Sequence, residues 1–144
     1  MKYYAILDTN VLVSAMLKAS SIPGIVASEA MCGDIILVLN DEILSEYESV
    51  LRRPKFMFEE RTVQIFLSEL KRRAVYSNAA IIDDNIPDHK DIVFYAVLME
   101  KRKEEEAYLV TGNLKHFPIR TFIVTPREML DIYCMKGESN QRTL

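Results

Sequence analysis

The 144-residue chain is 49% hydrophobic and 27% charged, and this size and balance predict a single globular domain with a core of its own. Its net charge of −3 at pH 7 excludes a strongly basic surface that would hold nucleic acid by charge alone, so any nucleic-acid binding must use local patches. The two cysteines, Cys32 and Cys134, lack the spacing of a metal site and favour a reducing compartment without disulfides.

The apolar stretches of the chain are short, and none approaches the roughly 20 residues that span a bilayer. Asp8 interrupts the apolar start of the sequence, where a signal peptide needs a continuous apolar region. The sequence therefore predicts a soluble, cytoplasmic protein without membrane contact.

Short apolar runs alternate with helical patterns along the chain. Buried strands are predicted at Tyr3–Leu7, Ile35–Leu39, Ala107–Val110 and Thr121–Val124, and residues 79–82 are either a short strand or an extended connection. Helices are predicted from Val11, after Ile22-Pro23-Gly24 to about Cys32, and over 41–53, 58–73, 88–103 and 126–135. This alternation predicts a three-layer α/β/α domain over residues 1–135 with a mainly parallel central sheet. The polar tail, residues 136–144, lacks apolar periodicity and is expected to be mobile.

Polar residues follow two of the predicted strands directly. Asp8 comes after the first strand, at the carboxyl edge where open parallel sheets bind their ligands, but an aspartate there also suits a helix N-cap. Thr111 and Asn113 follow the strand Ala107–Val110. They either bind a ligand or form a turn in which Gly112 supplies an unusual backbone angle.

The helix predicted over residues 41–53 places acids on both sides of its apolar stripe. At 100° per residue, Glu46 falls near one border of the stripe, whereas Glu42 lies on the polar face. Glu46 can therefore lean into a cleft. Glu48 flanks the opposite border, so this geometry leaves an ordinary flanking charge as the alternative for Glu46.

Asp91 lies on the most apolar predicted helix and shares a face with Phe94 and Leu98. Backbone amides of the first helical turn, with Asp88 as N-cap, would satisfy its carboxylate; otherwise it faces a cation. Acids brought together repel one another unless a divalent cation neutralises them, and oxygen ligands suit Mg²⁺ or Mn²⁺. Such a site activates water and polarises a phosphodiester, which favours phosphoryl chemistry.

Five segments resemble the PIN-domain family in order and spacing. They are LDTNVLVSA (7–15), DEILSEYESVLRRPKF (41–56), PDHKDIVFYAV (87–97), YLVTGNLKHF (108–117) and IVTPREML (123–130). The resemblance covers about residues 1–135 and is strongest to the branch that holds toxins of toxin–antitoxin pairs. It implies a metal-dependent ribonuclease fold in which acids from separate segments meet at the sheet edge.

The resemblance assigns roles residue by residue. The acids that hold metal and carry catalysis are Asp8, Glu46 and Asp91. Thr9 and Asn10 match polar residues that line or brace the site, and Thr111 matches the hydroxyl residue of the family's TGD element, which belongs to the catalytic set. Asn113 stands where many members carry a fourth aspartate, a departure that removes one charge and implies weaker metal affinity, although its amide oxygen can still hold metal or water.

The resemblance also bears on whether three further polar residues, Asp88, His89 and His116, belong to the site. Asp88 lies one turn before Asp91 and either supplies the missing acid or remains an N-cap. His89 and His116 are expected to be surface or loop residues outside the catalytic set, because the family chemistry uses water activated by metal.

The leading hypothesis is an Mg²⁺- or Mn²⁺-dependent endoribonuclease that cuts single-stranded RNA, with Thr111 and Asn113 positioning water or phosphate. By resemblance it would be the toxin of a type II pair, a homodimer, held by a small antitoxin that aims Arg or Lys at the acids. Basic clusters at 52–55, 71–73 and 101–103 either track RNA or are solvated helix faces.

Two alternatives remain open at this point. A catalytically weakened PIN-like module would bind RNA or a protein partner without cleavage, and Asn113 is the residue that favours it. A phosphate-accepting signalling receiver also places an aspartate at a strand end, but it needs an acidic pair near the start, and Asp8 is alone there.

Overall fold

The central sheet has five strands, all parallel. The structure, a computed structural model, describes the backbone of residues 3–142 and the side chains of residues 3–135. The strands are β1 (Tyr3–Leu7), β2 (Ile35–Leu39), β3 (Val75–Tyr76), β4 (Ala107–Val110) and β5 (Ile123–Val124). Their order across the sheet is β3-β2-β1-β4-β5. Strands β2 and β3 are therefore added on one side of β1 and strands β4 and β5 on the other, and this reversal of strand order lies between β1 and β4. Ligands of open α/β sheets bind at such a reversal, outside the carboxyl ends of the strands.

Helices cover both faces of this sheet and confirm the predicted three-layer α/β/α architecture. They are α1 (Thr9–Leu17), α2 (Ile22–Cys32), α3 (Asp41–Leu51), α4 (Glu60–Arg73), α5 (His89–Lys101) and α6 (Pro126–Arg142). Helix α2 packs with α4 and α6, whereas α5 packs with α3 and against β1 and β4. Two short 3₁₀ helices, Pro54–Phe56 and Leu114–His116, follow α3 and β4.

The core lies between the layers, where the buried aliphatic residues of β1, β2 and β4 pack against the apolar faces of the helices. Both faces of these strands are covered, which is why the sequence shows them as continuous apolar runs rather than alternating patterns. The largest fully buried side chains, Tyr47, Tyr95 and Phe94, belong to α3 and α5. These two helices are thereby fixed against the sheet beside the reversal.

The structure resolves the alternative left open for residues 79–82, and its main differences from the predicted elements are the edge strand and the end of α6. Residues 79–82 form an extended connection, because Ala80 donates its N–H to the Ala96 carbonyl on α5 at 2.9 Å instead of joining the sheet. The edge strand is Val75–Tyr76, which pairs with β2.

Helix α6 reaches Arg142 rather than ending at Met135. The prediction relied on apolar periodicity, which reports burial, whereas a helical backbone can continue without a buried face. Of the tail predicted to be mobile, residues 143–144 lie outside the described residues.

Among residues 3–142, none of the helices is by itself long and apolar enough to cross a membrane. Helices α1 and α2, which meet at 104°, reach that length and apolar composition only when they are counted together.

Candidate active site

Two polar segments leave the sheet side by side at the reversal. Strands β1 and β4 are neighbours, with Leu7 opposite Val110, and Asp8 extends the ladder by donating its N–H to the Val110 carbonyl at 2.9 Å. Thr111 likewise donates its N–H to the Val124 carbonyl at 2.9 Å. The structure therefore places Asp8 and Thr111 next to each other at the carboxyl edge.

Three donors orient the Asp8 carboxylate. Its Oδ1 accepts from the Thr9 N–H at 2.8 Å, and its Oδ2 accepts from Thr111 Oγ1 at 2.7 Å and Asn10 Nδ2 at 3.1 Å. Burial raises the pKa of Asp8 more than these hydrogen bonds lower it. Asp8 also caps α1, so the cap geometry and the position at the sheet edge occur together.

Asp91 is a buried carboxylate with an unsatisfied oxygen. Its residue is 8% exposed, and Oδ2 has no hydrogen-bond partner in the described part of the chain. His116 Nδ1 lies 3.4 Å from that oxygen, an ion-pair distance that lacks hydrogen-bond alignment. Burial raises the pKa of Asp91 to about 6, and the charges of Asp8 and Asp88 contribute to the shift.

Asp88 acts as the N-cap of α5, where its side chain accepts from the Lys90 N–H at 3.0 Å. The cap does not satisfy Asp91, whose own N–H donates to the Asp88 carbonyl at 3.0 Å. Of the two alternatives for Asp91, backbone amides leave Oδ2 without a hydrogen bond among the described residues. The group that faces this oxygen is His116, which is a cation when it is protonated.

A cavity of about 400 Å³ brings these groups together. Of the residues singled out in the sequence, those lining it are Asp8, Thr9, Asn10, Glu46, Asp88, Asp91 and Asn113. Thr111 is fully buried behind Asp8. Thr9 Oγ1 is a second buried polar atom of the cavity without a partner among the described residues.

Helix α3 supplies Glu46, which is half-buried, whereas Glu42 is exposed. The adjacent residue Tyr47 is fully buried and donates its hydroxyl to the Leu7 carbonyl at 2.5 Å, which ties α3 to the end of β1. Glu48 does not line the cavity, so the tertiary position of α3 distinguishes two acids that helical periodicity left equivalent.

The segment after β4 is held by side chains of the site. The Gly112 N–H donates to Asn10 Oδ1 at 3.1 Å, and the Asn113 N–H donates to Thr111 Oγ1 at 3.0 Å. Gly112 does not have a positive φ, so the suggestion that it supplies an unusual backbone angle is wrong. Asn113 is exposed and lines the cavity.

The cavity also contains residues that were not expected in the catalytic set. His116 was expected outside the site, yet it lies beside Asp91; His89 does not line this cavity. Arg53, Phe56 and Lys90 also line the cavity, together with Val13, Ser14, Val50 and Phe94. The available signal for His116 was its place in the same post-strand segment as Thr111.

The three basic clusters differ in what they contact. Arg102 lies 4.0 Å from the Phe122 ring centroid and donates to the Ala107 carbonyl, and Lys103 pairs with Glu100 at 2.9 Å. Arg72 pairs with Glu69 at 3.1 Å. Only the cluster at 52–55 contributes a residue, Arg53, to the described cavity wall.

The chain matches the family model described as PIN domain over residues 4–115. It belongs to the PIN-domain family. PIN domains are generally nucleases and typically use a divalent metal. Comparison with curated proteins gave no match, and comparison with solved structures gave none either.

The residues present fit a divalent cation that retains much of its water. Across the described residues, no three His, Cys, Asp or Glu side chains are close enough to hold a metal by themselves, so Glu46 shares the cavity with Asp8 and Asp91 without completing a three-acid ligand group. Mg²⁺ commonly keeps several waters and binds through one or two carboxylates plus substrate phosphate. Asp8 and the unsatisfied Asp91 Oδ2 are suitable ligands for such an ion.

Proposed function

We propose that this PIN-domain protein is an Mg²⁺- or Mn²⁺-dependent endoribonuclease that cuts single-stranded RNA. The observation that carries the proposal is the pairing of Asp8 and Asp91, two buried carboxylates with raised pKa values in one cavity. Carboxylates whose burial is only partly offset by hydrogen bonds are costly in a low-dielectric site, and groups of this kind cluster at functional sites where a cation or substrate can stabilise them.

The chain's own residues would perform distinct tasks in that reaction. Thr9, Asn10 and Thr111 fix the Asp8 carboxylate, and the Asp91 oxygen beside His116 remains available. Arg53 and Lys90 on the cavity wall supply positive charge for RNA phosphates. A divalent cation held by the two acids supplies the Lewis acidity that activates water and stabilises the phosphoryl group.

Glu46 and Asn113 would act from the walls of the cavity. Glu46 is half-buried there and can accept a hydrogen bond from water or hold a water of the cation. The Asn113 amide offers one oxygen and one NH₂ group, which suits positioning of water or phosphate.

The test is cleavage of a mixed single-stranded RNA with Mg²⁺, with Mn²⁺ and with EDTA. We expect cleavage only with metal, and a loss of at least about 100-fold in Asp8→Asn, as removal of a central electrostatic group typically costs. Glu46→Gln should lower the rate, whereas Glu48→Gln, the same change on the other side of α3, should not. Equal rates for these two glutamine variants would exclude Glu46 from the site, and failure of the folded wild type to cut in either metal would refute the nuclease.

We further propose that the protein is a homodimer and the toxin of a type II pair, inhibited by a small antitoxin. The acidic pair in the cavity favours an inhibitor that inserts Arg or Lys. Expression should arrest growth in wild type but not in Asp8→Asn, and co-expression of a small protein encoded beside it should restore growth. Light scattering on the purified protein measures the dimer independently, and growth without inhibition would refute the toxin role.

A second candidate is a PIN module that binds RNA without cutting it. It is favoured by Asn113 in place of an acid and by the absence, among the described residues, of a group of three ligands. RNA binding by a wild type that fails to cleave in any metal would establish it.

A further inference from the structure

One aromatic side chain on the catalytic cavity wall is not part of the core. Phe56, at the end of the 3₁₀ helix Pro54–Phe56, lines the cavity and is half-buried. Its neighbour Phe58 packs against the hydrophobic core, whereas Phe56 does not. Burial in the core therefore does not explain a phenyl ring at this place.

Phe58 and the local backbone hold the Phe56 ring in position. The two rings are stacked, with centroids 5.6 Å apart and planes 15° from parallel. Between them Met57 adopts a left-handed backbone with φ of 54°, a conformation that is uncommon for residues other than glycine. Its N–H donates to the Pro54 carbonyl at 3.1 Å, which closes the turn.

Two positive charges accompany the ring. Arg53 lines the same cavity, and Lys55 Nζ lies 5.1 Å from the Phe56 centroid. In the described part of the chain neither forms a salt bridge, whereas Arg52 is paired with Glu60 at 2.9 Å. Lys55 is exposed, so its flexible side chain can leave the ring for a phosphate.

We propose that Phe56 is a stacking platform for an unpaired RNA base next to the phosphate bound at the acids, with Arg53 contacting the backbone. The inference rests on the proposed function and extends it to substrate choice. A base within a duplex has both faces covered, so a platform of this kind favours single-stranded RNA. An apolar peptide would need a groove, whereas Phe56 is one ring among acids and cations.

The test measures RNA affinity in an Asp8→Asn background, which prevents cleavage. Anisotropy of a labelled single-stranded RNA should show Phe56→Ala weakening binding about 5- to 150-fold, the range for one stacked base. Phe56→Leu, which keeps apolar volume without the π face, should also bind weakly, and Phe56→Tyr should bind like the parent. With otherwise wild-type protein, Phe56→Ala should raise KM more than it lowers kcat.

An RNA of the same length with abasic residues provides the control for stacking. Its affinity should be insensitive to Phe56→Ala but reduced by Arg53→Gln. Tyr76→Ala, which removes a 56% exposed aromatic side chain outside the cavity, should leave both affinities unchanged.

The proposal of a stacking platform and the proposal of a nuclease can be refuted separately. If wild type cleaves RNA and Phe56→Ala binds the base-containing RNA as tightly as its parent, the platform is refuted and the nuclease stands. If wild type does not cleave but Phe56→Ala loses base-dependent binding, the platform stands and the nuclease is refuted. Loss of binding to a protein partner with unchanged RNA affinity would also refute the platform.

Discussion

At the scale of single residues, the site contains two carboxylates, Asp8 and Asp91, that differ in how many hydrogen bonds they accept. Asp8 accepts three hydrogen bonds, which lower its pKa, but burial raises the pKa by more than they lower it. Within residues 3–135, Asp91 Oδ2 has no hydrogen-bond partner, although His116 Nδ1 lies 3.4 Å away, and the pKa of Asp91 rises from 3.8 to about 6. A carboxylate that is harder to ionise in the folded state than in the unfolded state lowers stability at neutral pH.

This imbalance predicts the pH dependence of the metal-free protein. Below about pH 4 Asp91 is protonated in both states; between about pH 4 and 6 only the unfolded state loses the proton, so stability falls as pH rises. We expect Asp91→Asn to raise the melting temperature near pH 8, because it increases the free energy of unfolding there by at most about 3 kcal/mol. Near pH 4 the substitution should change the melting temperature little.

Thermal melts in EDTA at the two pH values measure the effect, and Asp131→Asn, at an exposed position of α6, is the matched control. Destabilisation of Asp91→Asn near pH 8 would mean that the contact with His116 outweighs the burial of the charge.

At the scale of elements, close packing of α1 and α2 positions one wall of the site. Helix α1 contributes Thr9 and Asn10, and α2 begins after Ser21, which caps it by accepting from the Gly24 N–H at 3.2 Å. A Cβ built on Gly24 would overlap the backbone carbonyl of Ala19. Glycine is therefore required there by close approach of the chain, since its φ is not positive.

Gly24→Ala should destabilise the protein by about 1–3 kcal/mol, the usual cost of overpacking, because backbone atoms rather than a flexible side chain must move. Gly33→Ala is the control: its Cβ would meet chiefly the end of the Glu29 side chain, which can rotate away. Urea unfolding of both variants measures the difference. Equal unfolding midpoints would show that the α1–α2 turn adjusts without cost.

The length and burial of an element determine whether it could be predicted from the sequence. Strands β1, β2 and β4 were predicted to the residue, because continuous apolar runs between polar turns have few other interpretations. The edge strand β3 was missed, since Val75–Tyr76 is too short and too exposed to show a pattern.

For the site, Asp8 and Thr111 could be placed together because the carboxyl ends of parallel strands share one edge. His116 and Phe56 could not, because both lie in 3₁₀ helices whose tertiary position has no periodic signal. The choice of Glu46 over Glu48 likewise required the packing of α3.

At the scale of the whole molecule, a chain of net charge −3 binding a polyanion must concentrate positive charge where the substrate enters. Arg53, Lys90 and His116 share the cavity with Asp8, Glu46, Asp88 and Asp91. Acids still predominate there, and a divalent cation would correct the balance locally without making the surface basic. RNA binding should therefore depend on metal as well as on salt.

The last prediction follows from that charge balance. A cation that binds only the folded protein raises stability by about 2.7 kcal/mol at 100 times its Kd, so Mg²⁺ should raise the melting temperature of wild type more than that of Asp8→Asn, which keeps only Asp91 of the two ligands. Asn113→Asp adds a carboxylate to the cavity wall, so it should lower the melting temperature in EDTA and increase the shift that Mg²⁺ produces.

Asn85→Asp, the same change at an exposed position outside the cavity, controls for charge. If Mg²⁺ raises the melting temperature of Asn113→Asp no more than that of Asn85→Asp, the cation does not bind within reach of residue 113. The expectation that Asn113 weakens metal binding would then be wrong.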